Sequence, residues 1–138
     1  MYQLRETPWP KDRNNKASPA LTQFGQNYFQ YFQRLLHLYD MLWQLKPSPV
    51  VQMNKAIVLS YTGKTKEAIE LMNSIGGIEL LLKTQYMFNA VLGELYIKNN
   101  QPQQATDYLE KALQLTQSDA EKKLLKEKLN AIEAVLWN

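Results

Sequence analysis

The chain has 138 residues, enough for one domain with a single core, and its 45% hydrophobic and 21% charged residues are ordinary for a globular protein. It has no cysteine, which excludes disulfides, thiol catalysis and cysteine-based metal sites. The net charge of +3 lies largely in residues 1–16, so the sequence does not predict direct nucleic-acid binding. No apolar run approaches the roughly 18 residues of a membrane span, and no signal peptide is evident, so we expect a cytoplasmic protein.

The chain begins with a predicted irregular arm, residues 1–20, which contains three prolines and a polar run from Lys11 to Lys16. A first helix is predicted from about Leu21 to Lys46, because large apolar residues recur there at helical spacing. Pro47 then ends this helix. Ser48 is the predicted N-cap of the next one, with Pro49 at the first helical position, where a missing N–H costs nothing.

The remaining segments also predict helices joined by short connections. The second helix is expected to end at Gly63, in the left-handed conformation that glycine tolerates. The stretch from Ile78 to Leu82 has no clear form, although a strand is disfavoured because no partner strand is evident. Ser118, with Glu121 three residues later, predicts a capping box at the start of the last helix. The other helices are predicted at about 65–74, 83–98 and 102–115, and the last helix is predicted to bury the stripe Leu124, Leu125, Leu129, Ile132, Val135 and Leu136.

An internal repeat is the most informative pattern. The segment from Leu92 through Gly93 to Tyr96, followed by Ala105 and Leu109, has the spacing of the tetratricopeptide repeat. Small residues are needed where two helices cross closely, and large apolar ones fill the space around the crossing.

The same frame fits upstream, with Ala56, Gly63 and Ala68 standing where Gly93, Asn100 and Ala105 stand in the second unit. Asn89 occupies a position that commonly holds a large aromatic residue. We therefore predict an all-α fold of about six antiparallel helices, a tetratricopeptide-like right-handed solenoid. The domain would cover 21–138, with units at about 48–82 and 83–117 and a capping helix at 118–138.

The stretch Leu38-Tyr39-Asp40, then Pro47-Ser48-Pro49 and Asn54-Lys55-Ala56, is more distinctive than a generic repeat. It resembles the C-terminal helical-repeat extension of extracytoplasmic-function-type bacterial RNA polymerase sigma factors, over roughly residues 35–133. The resemblance implies a regulatory or partner-binding appendage. The promoter-reading domains would then be expected before residue 1, so this chain alone would not recognise a promoter.

Three functional hypotheses follow. The first is a non-catalytic interaction domain of a sigma-factor-like transcription initiation protein, with sigma-factor core domains, RNA polymerase or a regulator as its protein partner. The second is a stand-alone tetratricopeptide adaptor unrelated to transcription. The third, a small-molecule or enzymatic role in a helical cavity, lacks any acid–base or metal constellation in the sequence.

The sequence predicts no catalytic, cofactor-binding or metal-binding residue. His37 is the only histidine and has no partner motif, and Gly63-Lys64-Thr65 lacks the earlier glycine of a phosphate loop. In tetratricopeptide folds the first helix of each pair lines a concave groove, and contact with the C-terminal helix is the alternative use of that face. Transferred by alignment, the candidate protein-binding groove is Val50, Met53, Ile57, Tyr61, Met87, Ala90, Glu94, Ile97 and Lys98.

Overall fold

A computed structural model of the chain describes residues 19–136, with side chains from residue 28 onward. This part of the chain is all-α, as predicted. The predicted arm at 1–20 lies outside the described residues except for Pro19 and Ala20, which belong to the first helix. The helices are α1 (Pro19–Leu45), α2 (Pro49–Tyr61), α3 (Thr65–Asn73), α4 (Ile78–Thr84), α5 (Tyr86–Lys98), α6 (Pro102–Leu115) and α7 (Asp119–Leu136).

The described residues form seven helices, where about six were expected, because the stretch of uncertain form is a separate helix, α4. Gly77 precedes α4 with a left-handed φ of 76°, and Gln85 separates it from α5 in an extended conformation. The predicted start of the next helix at Lys83 was therefore wrong. Lys83 and Thr84 belong to α4, and α5 begins at Tyr86.

Asn89 explains why the chain breaks between α4 and α5. Its side-chain amide donates hydrogen bonds to the carbonyl oxygens of Leu82 (2.7 Å) and Gln85 (3.1 Å), and the residue is 2% exposed. The last carbonyls of a helix lack partners within it, so the buried Asn89 amide supplies donors to carbonyls at this junction. The residue that departs from the usual repeat pattern therefore holds the α4–α5 junction.

The described part of the chain divides into two compact units, the first ending at residue 68 and the second beginning at residue 69. In the first unit α1 packs on α2. The rings of Phe32 and Tyr61 stack with centroids 5.4 Å apart, and the Lys55 ammonium pairs with the Asp40 carboxylate at 2.6 Å. The fully buried Met53 lies in the core of this unit. Aromatic stacking and apolar burial therefore hold α1 against α2, because a partly exposed ion pair adds little.

The N-terminus of α2 offers a test of the predicted cap. The Val51 N–H donates to Ser48 Oγ at 3.3 Å, and Pro49 occupies the first turn. We expect Ser48→Ala to lower the free energy of unfolding by about 1 kcal/mol, because one donor at the helix N-terminus loses its partner. Urea denaturation would measure this loss. The matched control is Ser74→Ala, whose hydroxyl bonds a carbonyl in an exposed turn. An equal loss in both variants would contradict the capping role.

In the second unit α5 packs extensively on α6, and α7 packs on α6. A Cβ built on Gly93 would lie 2.5 Å from Leu109 Cδ2, so any side chain at this position would force Leu109 to shift. Tyr96 and Tyr108 stack beside the crossing with centroids 5.5 Å apart. The side chains of Leu92, Leu95, Ala105 and Leu109 are fully buried around it. The small and large residues therefore occupy the places that the repeat pattern predicts.

Two backbone positions support the alignment of the two predicted repeats. Gly63 follows α2 with φ of +83°, and Asn100 follows α5 with φ of +57°. The sequence alignment places these residues at equivalent positions. Both take the left-handed conformation that ends a helix, which asparagine tolerates better than most residues. The interpretation of Gly63 as a C-cap glycine is confirmed, and a helix rather than a strand precedes it, unlike in a phosphate loop.

Candidate protein-binding surface

The predicted groove residues of the first unit differ widely in exposure. Val50 is 50% exposed, whereas Met53 and Ile57 are buried. Tyr61 is half-buried and stacks on Phe32 of α1. A partner could reach Val50 directly, but could reach Met53 only if the unit rearranged. The assignment of these four residues to a binding groove stays a prediction.

The predicted groove residues of the second unit lie on α5. Met87 is exposed, Ala90 and Glu94 are buried, and Ile97 and Lys98 are half-buried. Glu94 and Ile97 line a cavity that α7 completes, while the structure does not bring the other three into that cavity. The role of all five in binding stays a prediction, but the structure separates two of them as the wall of a defined cavity.

This cavity, which we call the α5–α7 cavity, has a volume of about 390 Å³. That volume is at the small end of the range for ligand pockets and suits one or two side chains of a partner. Apolar groups supply most of its wall. It is lined by Glu94, Ile97, Asn100, Pro102, Lys128, Ala131, Ile132 and Val135.

The α7 wall of this cavity was missed by the sequence reasoning about the groove. Lys128, Ile132 and Val135 stand four and three residues apart, a spacing that places them on one face of a helix. That spacing was the available signal. The predicted buried stripe of α7 is correct for Leu125 and Ile132 but wrong for Val135, which is 68% exposed, and for Leu136, which is 45% exposed. These two side chains lie in the last turn of α7, near the end of the described chain, where they remain open to solvent.

An ion pair crosses the α5–α7 cavity between the Lys128 ammonium and Oε1 of Glu94. The Glu94 side chain is 9% exposed and that of Lys128 is 26% exposed. Among the described residues no hydrogen-bond donor other than Lys128 satisfies Glu94 Oε1. Burial lowers the pKa of the Lys128 ammonium. Oε1 of Glu94 therefore depends on one partner, and that partner comes from another helix, α7.

The described residues can be compared with the features of metal sites and membrane spans. No group of three or more histidine, aspartate or glutamate side chains among them is arranged to hold a metal ion. His37 lies exposed on α1. None of the helices within residues 19–136 is both long and apolar enough to cross a membrane. The α5–α7 cavity, with apolar walls and one ion pair, is suited to binding and offers no evident nucleophile.

Comparison with known proteins supports the repeat. Residues 88–119, which run from the first turn of α5 to the first turn of α7, match the family model of the tetratricopeptide repeat. No curated protein and no solved structure matches the chain significantly. The tetratricopeptide-like helical architecture predicted from the spacing is thus confirmed, and the match indicates a protein-interaction module of a generally non-catalytic type.

Proposed function

We propose that this chain is a non-catalytic protein-interaction domain and that the α5–α7 cavity receives an apolar side chain of its partner. The observation that carries the proposal is the form of this cavity. Ile97, Ile132 and Val135 offer apolar contact, and the Glu94–Lys128 pair marks one side with a fixed polar group. Interfaces draw most of their affinity from a few anchors that enter such pockets, while polar groups at the edge fix orientation.

The partner we propose is part of the bacterial transcription machinery in the cytoplasm. Support comes from the resemblance of the Pro47-Ser48-Pro49 region and the following helices to the C-terminal extension of sigma factors. In that setting the domain binds sigma-factor core domains, RNA polymerase or a regulator, and it does not itself contact nucleic acid. The described repeat body supports this division of labour, because its acidic and basic side chains are interspersed rather than gathered into a basic stripe.

The experiment measures binding of the full chain to two probes, bacterial core RNA polymerase and a purified pair of sigma promoter-binding domains. We expect Val135→Arg to weaken the interaction at least tenfold, because a long cationic side chain then obstructs the mouth of the cavity. The matched control is Leu80→Arg. Leu80 is 66% exposed on α4 and lies outside the lining of the cavity. The Leu80→Arg variant therefore adds the same charge to the same unit without obstructing the cavity.

The outcomes test the binding site and the partner separately. Equal weakening by both variants would show that the α5–α7 cavity is not the binding site. Failure of the unmodified chain to bind either probe would remove the transcription partner and favour the stand-alone tetratricopeptide adaptor. Circular dichroism of both variants would confirm that a lost interaction does not reflect lost folding.

A further inference from the structure

Helix α1 carries a row of apolar residues, which we call the heptad seam, and this row is separate from the α5–α7 cavity. Apolar residues recur at alternating spacings of three and four residues along the helix. This is the heptad spacing of a coiled coil, in which the a and d positions of one helix pack against a second helix. The seam consists of Tyr28, Tyr31, Leu35, Leu38, Leu42 and Leu45, and the same spacing extends in the sequence to Phe24 and Leu21.

Much of this seam is exposed. Tyr31 is 55%, Leu38 51% and Leu45 81% exposed, and these are the d positions of the heptad. Contacts between α1 and α2 use a neighbouring face, through Phe32 and through the pairing of Asp40 with Lys55. Leu42 is 45% exposed, whereas Tyr28 and Leu35 are half-buried, so the exposed part of the seam is formed by its d positions together with Leu42. Large exposed apolar side chains that follow one another along a helix face mark an interaction surface, whereas scattered ones are ordinary.

The seam suits a second copy of the same helix. Between Pro19 and Leu45 the only fully charged side chains are Arg34 and Asp40, which balance one another, so two copies of α1 meet little electrostatic repulsion. The described seam runs from Tyr28 to Leu45, which is about 26 Å along the helix. A helix pair of that length buries roughly 500 Å² per copy, which reaches the lower limit of about 1,000 Å² in total for a specific interface. Helix α2 has only 13 residues and cannot follow the seam along its whole length.

We propose that the chain forms a homodimer through the heptad seam of α1. The two seams pack as a short two-stranded coiled coil, related by a two-fold axis, so that the same residues contribute from each copy. This surface lies in the first unit, and the α5–α7 cavity lies in the second. The dimer therefore does not depend on the proposed function.

Sedimentation of the full chain across a range of concentrations tests the proposal. We expect a species of twice the chain mass at tens of micromolar, and at least a tenfold larger dimer dissociation constant for Leu38→Lys. The matched control is Phe29→Lys, because Phe29 is 54% exposed on the same helix but lies off the seam. The second seam variant is Leu45→Lys, at the most exposed position, where a loss of folding is least expected.

Three results would overturn the proposal. One is that the chain stays monomeric at every concentration up to about 200 µM. A dimer dissociation constant above that value would be too weak for a specific interface of this size. Another is equal weakening of the dimer by Phe29→Lys and the seam variants. The third is a full chain that stays monomeric and dimerises only after residues 1–18 are removed. That result would show that residues 1–18 cover the seam in the full chain. Circular dichroism of each variant distinguishes lost dimerisation from lost folding.

Discussion

Replacing Gly93 with leucine is expected to lower the free energy of unfolding by about 3 kcal/mol or more. Even a Cβ at this position would lie 2.5 Å from Cδ2 and 2.8 Å from Cγ of Leu109, and the backbone carbonyl of Ala105 is 3.6 Å away. A leucine adds three further carbons into the same space. Overpacking of a closed core typically costs about 1–3 kcal/mol and sometimes more. Urea denaturation followed by circular dichroism would measure the loss.

Alanine at the same position gives a graded comparison. It adds only the Cβ, and Leu109 can yield only by moving a fully buried side chain. Alanine favours a helix over glycine by about 1 kcal/mol, which offsets part of the clash. We therefore expect Gly93→Ala to cost less than Gly93→Leu. The control is Gly76→Ala, because a Cβ there meets no atom within 4 Å, and its cost should be close to zero.

A double substitution connects the effect to one contact. If Leu109 is the obstacle, Leu109→Ala combined with Gly93→Leu should destabilise the chain less than the sum of the two single changes. Additive costs would show that Leu109 is not the obstacle. An unchanged free energy of unfolding for Gly93→Leu would contradict the close crossing of α5 and α6. It would also contradict the alignment of the second repeat.

The repeat could be predicted because its rules act over short distances in sequence. Gly93, Ala105 and Leu109 are close in the chain, and their sizes follow from the close packing of one helix on the next. The cap at Ser48 is likewise a local interaction, made within one turn of α2. Such features depend on few neighbouring residues, so spacing and residue type predict them well.

The junction between α4 and α5 could not be predicted in the same way. The residues from Ile78 to Thr84 are apolar enough to suit several conformations, and no proline marks the break at Gln85. The break depends on Asn89, whose side-chain amide reaches back to Leu82. In the sequence, asparagine at this position is only a departure from the repeat pattern. Its role becomes evident when the carbonyls it satisfies are known.

The α5–α7 cavity was only half predicted for a related reason. The repeat alignment identifies the α5 residues, Glu94 and Ile97, because they occupy fixed positions in the unit. Lys128 comes from a helix beyond the repeat, and its pairing with Glu94 joins residues far apart in sequence. A heptad or helical spacing shows which residues share a face, but it does not show which helix that face will meet.

The Glu94–Lys128 pair leads to the second large effect, which differs between the two partners. We expect Lys128→Met to lower the free energy of unfolding by about 2–3 kcal/mol, and Glu94→Gln to lower it by about 1 kcal/mol. Removing the lysine leaves Oε1 of a nearly buried carboxylate without a partner, which is strongly destabilising. Removing the carboxylate leaves a lysine whose side chain is 26% exposed and can still reach water. Urea denaturation of the two variants measures the difference.

The pH dependence of Lys128→Met separates a charge effect from a packing effect. Protonation of the orphaned carboxylate would relieve the cost of burying its charge, so the loss of stability should be smaller at pH 5 than at pH 8. The control is Lys126→Met, the same change at an exposed position of α7, which should cost less than about 0.5 kcal/mol at both pH values. If Lys128→Met and Glu94→Gln lower the free energy of unfolding equally and independently of pH, Glu94 contributes to stability through contacts other than the ion pair with Lys128.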